Sequence, residues 1–169
     1  MNTTHINFTV NANTKGWASV GFNTAPTMAG ADMYTGWVND NTGQLTLLDT
    51  HSSGQTQPAV DTVNNILKST GSQAGSATTF SFVRALNTGD SNDLAIGNTT
   101  IYVLYAMGTS DGDANNNYAQ HTSRGSGQIN FMSGNVTVNN DTIAQNVTVT
   151  PVNSTGNCKF FKSFHILIY

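Results

Sequence analysis

Apolar and polar residues alternate in short runs along this chain, and this alternation constrains the fold more than any other feature. In residues 5–12, Ile6, Phe8 and Val10 fall on one side and polar residues fall on the other. A two-residue period is that of a β-strand with one buried face. Turn-forming residues separate the runs, and the spacing predicts an all-β, antiparallel two-sheet β-sandwich. The predicted strands cover residues 5–12, 17–22, 32–38, 44–49, 78–86, 99–107 and 128–132.

The composition is poor in charge and lacks the residues that cover exposed helices. Only 9% of the 169 residues are charged, against a usual share of about 25%. There is no Glu and Lys occurs four times, whereas Thr occurs 25 times and Asn 22 times. This composition argues against a helix bundle or a coiled coil. A net charge of −3 and a pI of about 5.6 also lack the basic footprint of a nucleic-acid-binding protein.

The composition changes near residue 132, which predicts a boundary there. Residues 1–132 carry the predicted strands and form one predicted domain. Residues 133–169 are rich in Asn and Thr and are predicted to form a glycosylated stalk or an edge strand. The apolar run 160–169 is about half as long as a membrane-spanning helix. It is either the beginning of a truncated membrane segment or an unrelated tail.

Signals of cellular compartment are sparse. The single cysteine, Cys158, cannot form an internal disulfide. The first residues lack the basic and apolar regions of a signal peptide and already resemble a strand, which predicts that the natural start lies upstream. Seven Asn-x-Ser/Thr sequons favour exposure outside the cytoplasm, although several arise by chance in a chain so rich in Asn and Thr. They begin at Asn2, Asn7, Asn98, Asn135, Asn140, Asn146 and Asn153.

Two loop residues have side chains that ligate haem iron in other proteins. Met28 lies in the Pro/Gly-rich loop 23–30, where strand periodicity does not account for it. His121 lies in a polar loop ahead of the last predicted strand. A loop Met usually covers the end of a core, and a loop His is usually solvated. A Met and a His on neighbouring loops also form an axial ligand pair for haem, so both interpretations stay open at this point.

The two arginines also have alternative interpretations. Arg84 ends a strand on the same face as Phe82, so burial there would require a carboxylate partner such as Asp90 or Asp93. Arg84 and Arg124 could otherwise bind an anionic group such as a haem propionate.

Other metal and catalytic patterns are weak. Asp111 and Asp113 have the spacing of part of a calcium loop, but no Glu closes it. His5 and His51 lack metal-ligand spacing. No nucleophile elbow, zinc-protease motif, Cys-x-x-Cys pair or phosphate loop is present in the sequence, so a self-contained hydrolase is poorly supported.

Six segments, taken in order, resemble a DOMON domain. They run from residue 5 to about residue 132 and are specific as a set. The resemblance implies an extracellular, immunoglobulin-like β-sandwich. Members of that family include haem-b cytochrome domains such as that of cellobiose dehydrogenase, and domains fused to cytochrome b561 membrane domains or to copper monooxygenases. The segments are GWASVGF, MAGADMYTGW, LLDTHSSGQTQPAVD, FSFVRALNTGD, IYVLYAMG and YAQHTSRGSGQINF.

The resemblance implies roles for the candidate residues. Haem-bearing members hold iron with a Met ahead of the strand that ends near Trp37, which is the place of Met28, with Met33 as the fallback. Their His ligand precedes the last core strand, which is the place of His121. The implied cofactor is haem b and the implied function is electron transfer. The implied pocket residues are Trp17, Phe22, Trp37, Tyr105 and Met107, although packing of the sandwich core predicts the same residues. Arg84 and Arg124 are the candidates, from their own chemistry, to bind a haem propionate.

The resemblance also implies a setting and an alternative. The setting is extracellular or lumenal, and the implied partner is a redox protein or a fused cytochrome b561-type membrane domain. Family members without haem imply the alternative, a module that binds carbohydrate or another small ligand through Trp17, Trp37 and Tyr118. The family usually has more strand ahead of the GW motif than this chain has, which again predicts a truncated start.

Overall fold

Strands make up the regular structure of the residues that the computed structural model describes, which are 4–133, 135–137, 147–150 and 161–168. These residues form no helix, and therefore none that is long and apolar enough to cross a membrane. The strands are β1 (His5–Ala12), β2 (Ala18–Asn23), β3 (Asp32–Val38), β4 (Leu45–His51), β5 (Ala59–Val60), β6 (Lys68–Ala74), β7 (Ala77–Ala85), β8 (Ile101–Met107), β9 (Ser123–Asn130), β10 (Asn135–Thr137), β11 (Val147–Thr150) and β12 (Phe161–Ile168).

The strands form two sheets. One sheet has the order β11-β12-β1-β7-β6, and the other has the order β10-β9-β8-β2-β3-β4-β5. Among the described strands, β1 and β12 pair in parallel, whereas the other pairs are antiparallel. The predicted all-β, antiparallel two-sheet sandwich is confirmed.

Strands with a clear apolar alternation were the easiest to predict. β3 spans the predicted residues 32–38. β9 begins at Ser123, five residues ahead of the prediction, because its first half, SRGSG, is polar and Gly-rich. The sequence does not predict β6 as a strand. It lies at the edge of its sheet, where neither face is deeply buried and no alternation is required.

An aromatic core fills the space between the sheets. Phe8 of β1 lies at its centre, with ring centroids 4.7 Å from Phe22, 5.3 Å from Phe82 and 5.3 Å from Phe131. Residues of β1 alternate between buried and half-buried, as the two-residue period predicts. Such ring pairs contribute about 0.5–1.5 kcal/mol each beyond the burial of their surface. The core therefore fixes the sheet on which the site described below is built.

The sequence analysis interpreted residues 160–169 as the beginning of a membrane segment or as an unrelated tail. The structure instead places residues 161–168 in the five-stranded sheet, as β12. β12 lies between β1 and β11, with His5 opposite Phe161 and Ala12 opposite Ile168. Its side chains Phe164, Ile166 and Ile168 are buried in the aromatic core. Their two-residue spacing is a strand signal, but the polar residues before them conceal it. The domain boundary at residue 132 stays a prediction. Five residues named in the sequence analysis lie outside the described ranges: Asn2, Asn140, Asn146, Asn153 and Cys158.

Candidate functional site

The seven-stranded sheet has a second face, which we call the outer face, directed away from the aromatic core. Val20 and Tyr34 belong to the core, so their neighbours Ser19 and Thr35 lie on the outer face. Ser19 and Thr35 are buried even though neither sheet of the described residues covers this face. The hydroxyl of Thr35 donates a hydrogen bond to that of Ser19 at 2.9 Å. Loops that fold over this face account for the burial.

A cleft of about 750 Å³ opens between the outer face and three loops. The loops are the Met28 loop (residues 24–31), the Gln57 loop (residues 52–58) and the His121 loop (residues 108–122). The volume falls within the range of about 300–1,000 Å³ that is typical of cofactor sites. Side chains that line the cleft include Trp17, Met28, Met33, Tyr118, His121 and Arg124.

Hydrogen bonds hold the Met28 loop on both sides of its methionine. Asn23, at the end of β2, donates from Nδ2 to the carbonyl oxygens of Thr27 at 2.6 Å and Ala29 at 3.1 Å. The loop then turns back, and the backbone N–H of Ala31 donates to the Met28 carbonyl at 3.0 Å. Gly30 has a φ of 77°, a left-handed conformation that suits glycine. Met28 is therefore presented on a tightly closed turn.

The His121 loop is held against the sheet by side chains from elsewhere in the chain. The indole Nε1 of Trp17 donates to the Ala119 carbonyl at 3.0 Å. Gln57 makes two bonds, donating to the Asn116 carbonyl at 2.9 Å and accepting from the Tyr118 N–H at 3.2 Å. Within the part of the chain that the structure describes, the His121 ring has no hydrogen-bond partner. Its nitrogen atoms are thus free to bind a ligand in the cleft.

Three aromatic rings pack together at tilted angles, and one of them, Tyr118, belongs to the His121 loop itself. The ring centroid of Tyr118 lies 4.8 Å from that of Trp17 and 6.2 Å from that of Trp37. Both indoles are buried, with 3% of their surface exposed, so neither presents a free face to a sugar. Trp37 packs behind Tyr118 against Gly112, where an added Cβ would lie 2.5 Å from the indole. The predicted pocket residue Trp37 therefore supports the wall of the cleft from behind.

The two arginines lie on opposite sides of the seven-stranded sheet. Arg124 is on its outer face, and Arg84, from β7 of the other sheet, is on its core side. Arg124, on β9, is exposed at the cleft, and its guanidinium has no ion pair or hydrogen bond among the described residues. Arg84 is completely buried on the core side, where it forms an ion pair with Asp32. Its Nη2 lies 3.8 Å from the carboxylate of Asp93 and donates to the Leu94 carbonyl at 3.0 Å. The structure thus brings Arg124 to the cleft and places Arg84 away from it.

Three carboxylates cluster on the core side, and two of them, Asp32 and Asp93, lie beside Arg84. Asp32, Asp49 and Asp93 each have an oxygen within 4.8 Å of the others. Burial raises the pKa of Asp49 from its usual value to about 7, although the backbone N–H of Asn65 donates to its Oδ2 at 2.7 Å and partly opposes this shift. This acidic group lies on the core side of β3 and β4 and forms no part of the cleft.

The other predicted pocket residues divide between the two faces. Phe22 and Met107 pack in or against the aromatic core. Tyr105 also belongs to that core and reaches the edge of the cleft. Met33, the fallback ligand, is a strand residue whose side chain does line the cleft. Of the six candidate site residues predicted from the sequence, Met28, His121 and Arg124 are brought together at the cleft, whereas Phe22, Trp37 and Arg84 are not.

Sequence reasoning missed two residues that shape the cleft. Asn23 and Gln57 hold the Met28 and His121 loops through their carboxamide groups. Neither residue belongs to a motif, and the chain contains 22 Asn. The position of Asn23, on the outer face immediately before a loop, was the one available signal. The two carboxylates with calcium-loop spacing accept hydrogen bonds from backbone N–H groups. Asp111 accepts from Asp40, and Asp113 accepts from Asn115 and Asn117.

Solved structures share this architecture. The cytochrome b domain of pyranose dehydrogenase from Coprinopsis cinerea matches with a TM-score of 0.54 and 11% identity, over 70% of this chain and 63% of that chain. The cytochrome domain of Myriococcum thermophilum cellobiose dehydrogenase matches with a TM-score of 0.52 and 13% identity, over 71% and 62%. At such low identity these likenesses establish the fold, which is the β-sandwich of cytochrome-type domains.

Sequence comparison then establishes the family. The DOMON domain family matches residues 1–108, which is well over half of the chain, and the chain belongs to that family. The matched segment includes Met28 and ends before His121 and Arg124.

Two curated relatives come from Drosophila melanogaster. MOXD1 homolog 1 is 34% identical over 147 residues, which are 84% of this chain and 21% of that protein. MOXD1 homolog 2 is 36% identical over 109 residues, which are 63% of this chain and 14% of that protein. The chain therefore spans about a fifth or less of the length of these relatives.

Proposed function

We propose that this domain binds haem b in the cleft on the outer face and transfers electrons, with Met28 and His121 as the axial iron ligands. The observation that carries the proposal is that these two side chains, 93 positions apart in the sequence, line one cleft from separate loops. A thioether and an imidazole are a known axial pair for haem iron.

The surroundings of the two ligands fit a haem group. The cleft has a volume suited to a cofactor. Met33, Leu104 and Ala106 provide an apolar floor. Arg124, exposed and unpaired among the described residues, stands at the same cleft and can bind a propionate. Arg84 is engaged with carboxylates on the other side of the sheet and has no such role in this proposal.

Haem iron that is held by both a thioether and an imidazole supplies one-electron transfer without an open coordination position, and the thioether favours the reduced state. The chain contributes a fixed geometry. The Met28 turn is closed by hydrogen bonds, and the His121 loop is fastened by Trp17 and Gln57. Such fastening limits the rearrangement that accompanies each electron transfer, because neither ligand loop has to move.

The proposal extends to the setting of the domain. We place it outside the cytoplasm or in a lumenal compartment, as the sequons and the family resemblance predict. The chain spans a fifth or less of its curated relatives, and the two cytochrome-type likenesses are domains of dehydrogenases. This supports a redox partner that is joined to the domain in the same polypeptide. The family resemblance makes a cytochrome b561-type membrane domain the candidate.

Reconstitution of the chain with haem tests the ligand assignment. We expect the wild-type chain to bind haem and to give a low-spin absorption spectrum with sharp bands after reduction. Met28→Ala should lower the reduction potential, because the thioether is lost, and His121→Ala should weaken haem binding by at least about tenfold.

Matched variants separate ligation from general damage. Met33→Ala removes a second thioether from the same cleft, and His51→Ala removes a histidine that pairs with Asp61 outside it. Both variants should keep the wild-type spectrum. A low-spin spectrum that survives Met28→Ala and His121→Ala unchanged would show that the iron has other ligands, and a wild-type chain that takes up no haem would refute the proposed function.

A further inference from the structure

Asn23 occupies an unusual place relative to Met28. Asn23 is buried, with 7% of its surface exposed, and its side chain lies on the outer face at the last position of β2. The two carbonyls that accept from its Nδ2 belong to Thr27 and Ala29, the residues immediately before and after Met28. Its Oδ1 accepts from the Thr24 N–H at 2.7 Å. One carboxamide therefore spans the loop and holds the backbone on either side of the methionine.

One other contact spans Met28, a long hydrogen bond of 3.4 Å from the Ala29 N–H to the Thr27 hydroxyl oxygen, and it is weaker than the bonds from Asn23. The remaining contacts of the turn lie elsewhere. The Ala31 N–H donates to the Met28 carbonyl at 3.0 Å, and the Gly30 N–H donates to the Ser52 carbonyl at 2.6 Å. Both bonds act after Met28 and fix the return of the chain into β3. The approach to Met28 through Thr27 is held by Asn23. Without that amide, the two carbonyls would lose a shared donor and would be free to rotate toward water.

We propose that Asn23 is a positioning residue, which holds the Met28 thioether toward the cleft before haem binds. The inference rests on the proposed function, because it assigns Met28 as an iron ligand. Its physical basis is preorganisation. A ligand that already has its bound geometry costs less conformational entropy when the metal complex forms. Groups that orient a metal ligand in this way typically change metal affinity by about 10- to 100-fold when they are removed.

The experiment compares three variants of the full chain. Asn23→Asp keeps the size of the side chain and replaces the donating amide with an acceptor that repels both carbonyls. Asn23→Ala removes the donor without adding a buried charge, which guards against a failure of Asn23→Asp to fold. Asn11→Asp is the matched control, because Asn11 also donates through its amide, to Thr79 at 3.0 Å, but lies on β1 outside the cleft.

We expect both Asn23 variants to bind haem about 10- to 100-fold more weakly than wild type. Their oxidised spectra should lose the far-red charge-transfer band of thioether-ligated iron, and their reduction potentials should fall. Asn11→Asp should keep the band and the potential even if it lowers stability. In the haem-free chain, the methyl resonance of Met28 should be narrow in wild type and broadened or multiple in both Asn23 variants.

The outcomes distinguish this inference from the function on which it rests. If wild type shows thioether ligation and the Asn23 variants retain both the band and the potential, Asn23 has no positioning role and the proposed function stands. If wild type binds no haem, the proposed function fails and the inference fails with it. If Asn11→Asp instead loses the band and the potential as much as the Asn23 variants do, Asn23 is only a general structural residue and the inference is overturned.

Discussion

The two faces of the seven-stranded sheet are built from alternate residues of the same strands, yet they pack in opposite ways. On the inner face, Phe22 and Tyr34 meet the rings of the other sheet and fill the available space. On the outer face, Ser19, Thr35 and Ala106 are also buried but small, and the larger buried side chains of Trp37 and Met33 belong to two separate clusters. Loops cover the small residues without filling the space above them, and the cleft is what remains. Burial alone therefore does not separate core from site in this domain.

This difference shows how one strand can encode both stability and binding. Large apolar side chains on the inner positions contribute to the free energy of unfolding through burial and close packing. Small side chains on the outer positions leave a volume that a ligand can occupy. Substitutions on the two faces should consequently change different measurable quantities.

The largest expected effect concerns the two arginines. Arg84→Met should lower the free energy of unfolding by about 3–5 kcal/mol, because it leaves buried carboxylates without their cation. Arg124→Met should change it by no more than about 0.5 kcal/mol, since this side chain is exposed and unpaired among the described residues. Denaturant unfolding measures both values. Equal losses in the two variants would contradict the assignment of the arginines to opposite faces.

The second prediction fills the cleft from the outer face. Ala106→Phe should weaken haem binding by about tenfold or more, equivalent to about 1.4 kcal/mol, because the new ring occupies the floor of the cleft. Ala106→Ser, which hardly changes the volume, is the control and should bind haem as wild type does. Titration with haem, followed by absorption, gives the two affinities. Unchanged affinity in Ala106→Phe would place the haem elsewhere.

The smallest expected effect is on the pH dependence of stability, to which Asp49 and Asp113 should contribute with opposite sign. The pKa of Asp49 is raised by burial to about 7, so the folded chain binds more protons than the unfolded chain between about pH 4 and pH 7. The free energy of unfolding should fall as the pH rises through this window. In Asp49→Asn the fall should be smaller by about 1 kcal/mol, or ~2–4 °C in Tm near pH 7.

Asp113, in the His121 loop, supplies the contrast. Hydrogen bonds from Asn117 lower the pKa of its carboxyl, so its contribution to stability is present above the unfolded pKa and is lost as the pH falls through the folded value. Asp113→Asn should therefore flatten the acid end of the Tm profile, whereas Asp49→Asn should flatten the fall in Tm between about pH 4 and pH 7. Profiles that shift in the same direction would show that the two carboxyls do not differ as described.

The sequence predicted the inner face better than the outer face, for a physical reason. A core requires apolar residues at every second position, so Ala18, Val20 and Phe22 of β2 could be recognised from their period. The outer face has no such requirement, because small and polar residues serve it equally well. Met28, His121 and Arg124 were recognised from their chemistry and from the family resemblance, and the structure then showed that they share a cleft.

What the sequence could not predict depends on tertiary contacts. Arg84 was known to need a carboxylate, but its main partner, Asp32, lies 52 residues away on another strand. Phe22 and Trp37 have the same aromatic character as cleft residues. Only the tertiary structure shows that Phe22 lies on the core face, and that Trp37 lies on the outer face but behind Tyr118. Asn23 and Gln57 act through bonds to backbone atoms, which place no constraint on neighbouring sequence and therefore leave no motif.

The parallel pairing of β1 with β12 has a mechanical consequence. The two strands come from opposite ends of the described chain, and their ladder runs from His5 opposite Phe161 to Ala12 opposite Ile168. Tension applied at the start of β1 and the end of β12 would pull the strands along their own length. Every hydrogen bond of the ladder would then carry the load at once, instead of opening one after another. This geometry makes the pair a shear clamp, so a pull through both ends would meet its main resistance on the sheet opposite the cleft.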